Sequence, residues 1–266
     1  MRIFDSSGGP ALLVHVPVCD AEWCLPDFLR GLDLQEWPAG IRDRTKLIFD
    51  VNGCTDQSHR ILAAFAGTPH GFRHILIHEL PWPPLPPGDR KWTPERIDRM
   101  IRLRNRGLDA FREYGADRFL AIDADVVLAD PSTIAHWLAF QGPLLAGVFW
   151  SRWGNPAAQP LPNVWVCGRF ELSAEFLEKV KTPGHHWVGG LGACVMMTRD
   201  VLRPNVNYDR IPNAPSNYDG EDRFFSLRAA VAGLDLRACT HHRIVHLDRA
   251  VPDLAMFLPW RAAALS

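Results

Sequence analysis

At 266 residues, with 47% hydrophobic and 22% charged residues, the chain has ample apolar content for a sizeable core and reads as an ordinary globular protein. Its 29 basic and 30 acidic side chains, a formal net charge of -1, exclude a global electrostatic attraction to nucleic acid or anionic membrane, so any basic site must be local. No apolar run reaches the roughly 18 residues of a membrane span, and residues 1 to 9 lack the hydrophobic core of a signal peptide. A cytoplasmic protein with no transmembrane segment is expected. Six cysteines, at 19, 24, 54, 167, 194 and 239, form no C-x-x-C pair and no zinc-finger spacing, and read as reduced, mostly buried thiols.

From residue 11 apolar runs alternate with amphipathic stretches: Ala11 to Val18, then 22 to 34, Lys46 to Val51, then 56 to 66, and Phe72 to Leu80. This β-α-β-α-β order predicts a parallel sheet in an α/β fold. A proline-rich loop, 81 to 88, precedes a helix from Pro94 to about Tyr114. A strand at Phe119 to Ile122 runs into Asp123-Ala124-Asp125. Asp130-Pro131 then reads as a helix cap followed by proline at the first helical position, opening a helix to about Phe140. Leu144 to Trp150 reads as a strand and 151 to 187 as irregular, aromatic-rich chain that shapes an acceptor pocket. A glycine turn at 189 to 192 enters an apolar strand. Pro204 to Asp219 reads as a mobile loop, Glu221 to Ala232 as the last helix with Gly233 as its stop, and Leu234 to Ala238 and Ile244 to Leu247 as two short strands. No repeat or linker divides the chain. One domain over 1-266 is expected, in two parts at about 11-130 and about 131-250.

The chemistry concentrates at strand ends. A buried strand ending in Asp123-x-Asp125 carries two hard oxygen ligands to the carboxyl edge of the sheet, where open α/β folds bind ligands and where Mg²⁺ or Mn²⁺ would bridge phosphates. The first strand ends in Pro17-Val18-Cys19-Asp20-Ala21-Glu22 and the second in Asp50-Val51-Asn52-Gly53-Cys54-Thr55-Asp56, on the same edge. These segments resemble the P-V-x-N-E-E and D-N-G-S-T-D motifs of family 2 glycosyltransferases of the GT-A fold. That resemblance implies a Rossmann-like, mostly parallel sheet flanked by helices, with a small additional β element. Pro17, Asp20, Glu22 and Asn52 would then line the site for nucleotide base and ribose. Val51 stands where the family has an acid, which leaves uridine or guanosine open. Gly53 and Asp56 also suit a turn and helix cap.

Arg102-Leu103-Arg104-Asn105-Arg106-Gly107 resembles the A-R-N-x-G helix that faces the diphosphate in these families, with Arg104 and Asn105 inward and Arg99, Arg102 and Arg106 on a solvated face. Glu221-Asp222 resembles the acidic pair of inverting members: Asp222 would take the acceptor proton and Glu221 position the acceptor, although acids in a first turn also simply stabilise a helix. His246, ending a short apolar strand, is placed where a late histidine completes the metal site begun by Asp123 and Asp125; His241 and His242 are its exposed competitors. Asp123 would hold ribose or metal, and Ala124 lies between the two acids against the donor. Gly189 and Gly190 resemble the turn beneath the sugar. The implied cofactor is Mn²⁺ or Mg²⁺, the donor a UDP- or GDP-sugar, the acceptor a hydroxyl. The order of these elements also resembles fungal α-mannosyltransferases of the mannan polymerase type, which are retaining. A sugar-nucleotide pyrophosphorylase would need a glycine-rich loop after the first strand, where Pro17-Val18-Cys19 stands instead. A binding module without turnover is the non-enzymatic alternative.

Overall fold

The computed structural model describes residues 9–84, 93–153, 155–166, 172–213, 220–249 and 258–262. The first half is built from β1 (Leu12–Val18), α1 (Leu25–Asp33), β2 (Thr45–Asn52), α2 (Ser58–Ala66), β3 (His74–Leu80), α3 (Pro94–Tyr114), β4 (Arg118–Ile122) and β5 (Val126–Leu128). There follow α4 (Thr133–Ala139), β6 (Leu144–Gly147), β7 (Trp150–Ser151), β8 (Leu161–Pro162), β9 (Val164–Trp165) and α5 (Ala174–Lys179). The chain continues through β10 (His185–Trp187), β11 (Gly190–Leu191), β12 (Cys194–Thr198), α6 (Glu221–Val231), β13 (Leu236–Cys239) and β14 (Ile244–His246).

Eight strands form the central sheet in the order β10-β13-β6-β12-β4-β1-β2-β3. β12 and β10 run against the other six. The central strands are buried on both sides, as the crossover helices of parallel strands require, while the edge strands β3 and β10 are partly exposed. On β1, Leu12, Val14, Val16 and Val18 enter one core and Leu13 the other; on β4, Leu120 and Ile122 enter the first, Phe119 and Ala121 the second. This is the two-residue alternation of a strand read from both faces.

The chain winds from β1 outward to β2 and β3, then returns to the other side of β1 with β4. That reversal makes the carboxyl ends of β1 and β4 a topological switch point, the place where open α/β sheets leave a crevice. β1 pairs with β4 only as far as His15, whereas its pairing with β2 continues to Val18. Pro17, which lacks a backbone donor, therefore sits where β4 has already diverged.

Several local expectations shift. α4 begins at Thr133, not at Pro131: Asp130 instead accepts from the Ser132 backbone and hydroxyl in a turn. The run Leu144 to Trp150 is cut in two, because Val148 and Phe149 bond to Cys239 and Asn163 outside the β6 ladder. The stretch 151 to 187 holds short strands and a helix, not irregular chain alone. Part of the proline-rich loop, Cys167, and 214–219 of the expected mobile loop lie outside the described residues. Cys19, Cys24, Cys54, Cys194 and Cys239 are free thiols.

Candidate active site

A cleft of about 170 Å³ opens at the switch point, lined by Pro17 near the end of β1, Cys19, Ala21 and Trp23 after it, Asn52 at the end of β2, Arg96, Arg99 and Met100 on α3, and Asp123, Ala124 and Asp125 after β4. Four of the expected nucleotide-site residues, Pro17, Asn52, Asp123 and Ala124, are brought together here. Asn52 donates from its amide to the Val18 carbonyl at 2.8 Å, fixing the β1 and β2 ends side by side. A second groove, of about 440 Å³, lies between α3 and residues 202 to 209 and collects no strand ends.

Asp20 and Glu22 do not line the cleft. Asp20 accepts from the Thr55 backbone and hydroxyl, Glu22 from the Gln57 backbone, and the Glu22 backbone N–H donates in return to Asp56. The two strand-end loops thus clasp one another, and these acids shape the site from behind. Asp56 also accepts from Ser58 at the start of α2, the turn role its position suggested.

Arg104 is 2% exposed and donates to Asp123 Oδ1 at 2.6 Å. Burial works against its charge, but Asp123, then Asp222 and Glu221, more than offset that cost and hold the guanidinium firmly protonated. The Arg104 Nε and Nη1 atoms are buried with no hydrogen-bond partner. Asn105, by contrast, does not face the cleft: its amide donates to Asp209 and its carbonyl accepts from the Tyr208 backbone, tying α3 to the segment before α6.

The α6 acids reach the same place from the other half of the chain. A Cβ on Gly192 would stand 2.4 Å from Asp222 Oδ2, so that carboxylate lies directly over the Gly192–Ala193 turn, and the Ala193 backbone N–H hydrogen-bonds to it. Ala193 in turn accepts from the Asp123 backbone at 3.0 Å. Glu221 is 4% exposed. Burial raises the pKa of both acids, with mutual repulsion adding at Glu221 and the Arg104 charge pulling back. Gly189 and Gly190 do not line the cleft. Gly189 donates to the Trp165 carbonyl and Gly190 packs beneath the Trp165 ring, bracing the turn that carries Gly192.

β14 pairs antiparallel with β5, aligning His246 with Val126, and Leu247 donates to the Asp125 carbonyl at 2.7 Å. His246 Nε2 stands 3.8 Å from Asp125 Oδ1, its ring stacks on Phe149, and its Nδ1 is buried with no hydrogen-bond partner. His246 Nε2 and the Asp125 carboxylate that faces it are a nitrogen and an oxygen donor of the kind a divalent ion takes together. Asp123, Asp125 and His246 are not among the groups of described residues whose donor atoms all converge within 4.8 Å. Asp123 is instead turned to Arg104. His241 and His242 lie apart from this place, in a histidine cluster beside α4.

Two arginine contacts on α3 go beyond the expected solvated face. Arg99, expected on the solvated face, is 9% exposed, donates to the Pro83 carbonyl and lines the cleft with Arg96. The spacing 96, 99, 100, 104 on one helical face was the available signal. Arg106 stays exposed, as expected, yet its Nε donates to Asp50 at 3.0 Å, where His15 and His78 also bond. Burial opposes the Asp50 charge, yet the bonds from His15, Arg106 and His78 outweigh it and hold the carboxyl below the usual range. No spacing in the sequence announces that four-residue cluster.

The eight-stranded sheet, its reversal at β1 and β4 and the cleft at that switch point are the architecture of the GT-A fold of glycosyltransferases. Solved structures bear out the fold. TarS residues 1-349 of S. aureus in complex with UDP superposes with a TM-score of 0.55 at 13% identity, covering 88% of this chain and 59% of that one. The mannosyltransferase PcManGT from Pyrobaculum calidifontis, in complex with GDP-Man and Mn²⁺, superposes with a TM-score of 0.50 at 15% identity, covering 87% of this chain and 55% of that one. Residues 9–166 match the model of the glycosyltransferase family 25 N-terminal domain, and the chain belongs to that family. A "Glycosyltransferase 25 family member" of Aedes aegypti is 28% identical over 230 residues, 79% of this chain and 35% of the relative. "Procollagen galactosyltransferase 1-A" of Xenopus laevis is 26% identical over 152 residues, 56% of this chain and 24% of the relative. The chain thus spans about a third and a quarter of those relatives. Among the described residues no helix is long and apolar enough to cross a membrane.

Proposed function

We propose that this chain transfers a sugar from a nucleotide-diphosphate sugar to an acceptor hydroxyl, with inversion, and that Asp222 is the base. The observation that carries this is the meeting of Asp222 with the Asp123 strand end across the Gly192–Ala193 turn: donor-side and acceptor-side acids, about a hundred residues apart in sequence, face one small volume. In this reading residues 1-266 act as one GT-A unit, the part up to about 130 holding the donor and the part from about 131 to 250 presenting the acceptor and the base.

The donor would lie across the β1 and β4 ends, its nucleoside against Pro17, Trp23 and Asn52. Arg96 and Arg99 offer cationic forks to the diphosphate. Asp125 and His246, with Asp123, would hold Mn²⁺ or Mg²⁺, which when bound neutralises charge developing on the leaving diphosphate. Asp222, raised by burial yet kept ionisable by Arg104, accepts the hydroxyl proton as the acceptor oxygen attacks the anomeric carbon in line. Glu221 would position the acceptor. Arg104 fixes Asp123 through its 2.6 Å hydrogen bond and lends its charge to both α6 acids. The name of the Xenopus relative makes a galactosyl donor the first to try.

The test is transfer from UDP-galactose, then other UDP- and GDP-sugars, to a hydroxyl acceptor panel with Mn²⁺, Mg²⁺ or chelator present, with the product anomer read by NMR. Expected are divalent-dependent transfer, an inverted product, and loss of activity in Asp125→Ala. Full metal-dependent activity in Asp125→Ala, or a preserved anomeric configuration with turnover surviving in Asp222→Asn, would falsify this assignment of roles.

A further inference from the structure

On a different face, α4, β10, β13 and the loop after β13 bring four histidines and a thiol together. His185 and Cys239 are register partners on the antiparallel β10–β13 ladder. His136, on α4, has its ring centroid 5.1 Å from those of both His185 and His241, and 4.8 Å from that of His242. One donor atom each from His136, His185 and Cys239 lies within 4.8 Å of the other two. None of these residues lines the strand-end cleft.

We propose that His136, His185 and Cys239, completed by His241, form a structural zinc site that nothing in the transferase chemistry requires. Two imidazoles and a thiolate are a borderline-soft set that suits Zn²⁺ far better than the hard ions that bridge phosphates. Two further observations point to an ion. His185 Nε2 is buried and has no hydrogen-bond partner, and Cys239 is 0% exposed, so both donors face inward with water excluded. Beyond them, Asp130 Oδ2 bonds His242 Nδ1 at 3.0 Å and His242 Nε2 bonds His136 Nδ1 at 2.6 Å. That carboxylate–histidine chain fixes one nitrogen of His136 and leaves the other for coordination, the outer-shell arrangement that orients metal-bound imidazoles. Ligand atoms on tetrahedral zinc stand roughly 3.3–3.8 Å apart, given bond lengths of about 2.0–2.3 Å. Small rotations of His136 and His185 close the set, and exposed His241 swings in as the fourth ligand. Cys239 binds as the thiolate and gives its proton to solvent.

The consequence is mechanical. The loop that carries His241 and His242 leads through Arg243 into β14, whose other end is His246. Zinc here would pin α4, the sheet edge and the root of β14 together, holding His246 beside Asp125 whether or not donor is present.

The full chain, stripped with chelator, is titrated with Co²⁺ and then Zn²⁺ alone. One equivalent of Co²⁺ should give the near-ultraviolet charge-transfer absorption of a thiolate ligand, and Zn²⁺ should displace it. The band should persist when Asp125 and His246 are both changed to Ala, since those residues offer no thiolate. It should vanish in Cys239→Ser, and Co²⁺ affinity should fall at least tenfold in His185→Gln, an edge-strand change that leaves the fold intact by circular dichroism even if Cys239→Ser does not fold. No thiolate band in the wild type, or a band and affinity unchanged in His185→Gln, overturns the site. A band lost only in Cys54→Ser would also overturn it, moving the metal to the Asp20, Cys54 and Asp56 group.

Discussion

Asp222 carries opposing demands that single substitutions can separate. As a base it must be ionised, yet burial favours its neutral form. Asp222→Asn should lower kcat by about 10²–10⁴, the usual worth of a positioned general base, while donor affinity, measured by calorimetry, stays near wild type. The acid limb of the kcat/KM profile should fall at a pH above the ordinary carboxylate range, because that limb reports the free enzyme's base. Gly192→Ala puts a methyl 2.4 Å from the same carboxylate. It should displace the base without removing it, costing on the order of 10² in kcat with little change in donor binding, as small misplacements of reacting groups do. Asp50 is the structural counterpart: it is 1% exposed with His15, His78 and Arg106 gathered on it, and Asp50→Ala should cost about 3 kcal/mol in urea unfolding, since it leaves the buried His15 without its partner.

At the scale of elements, α3 joins the site to the sheet. Thr93 caps it, accepting from the Arg96 backbone, and Gly115 ends it in the left-handed conformation at φ 65°. Its inner face presents Arg99, Arg104 and Gly107 to the cleft, Asp123 and β1 respectively. A Cβ on Gly107 would meet His15 Nδ1 at 2.6 Å and Phe119 at 3.0 Å, so Gly107→Val should destabilise by about 1–3 kcal/mol through overpacking, read as a lower urea midpoint at unchanged m-value. The bounds of α3 were legible from Thr93-Pro94 and Gly115. Its rotation was not: an arginine-rich helix has several basic faces, and which one turns inward is set by the carboxylates it meets, Asp123 and Asp50, which lie on separate strands.

Over the whole molecule, Asp50 on one side and the Glu221–Asp222 pair on the other pull the pH dependence of stability in opposite directions. Asp50 is lowered, so its contribution is present above the ordinary carboxylate value of about 4 and is lost as pH falls below it. Glu221 and Asp222 are raised, so folding favours their protonated forms and stability is lost as pH rises above about 4 toward and through neutrality. Thermal unfolding should therefore peak on the mildly acidic side of neutral. Asp222→Asn should raise the melting temperature at pH 7.5 by about 2 °C, for on the order of 1 kcal/mol in a chain of this size, with the gain gone near pH 4. A gain that persists at pH 4 would show that charge burial is not its origin.

The β-α-β-α-β opening, Pro94 to Tyr114, the apolar strand into Asp123 and Asp125, and the helix at Glu221 are written in local periodicity and caps, and these suffice to order a sheet with acids on one edge. The role of each side chain at that edge required the folded chain, because it depends on partners distant in sequence. Asp20 and Glu22 look like ligand contacts until Thr55 and Gln57 take their oxygens. Asn105 looks inward until Tyr208 and Asp209 claim it. Arg99 looks solvated until the Pro83 carbonyl draws it in. Hydrophobic pattern is a property of neighbours along the chain and survives in the sequence. A polar group's partner is chosen by three-dimensional proximity in a medium where leaving it unpaired is costly, and only the packed sheet supplies that proximity.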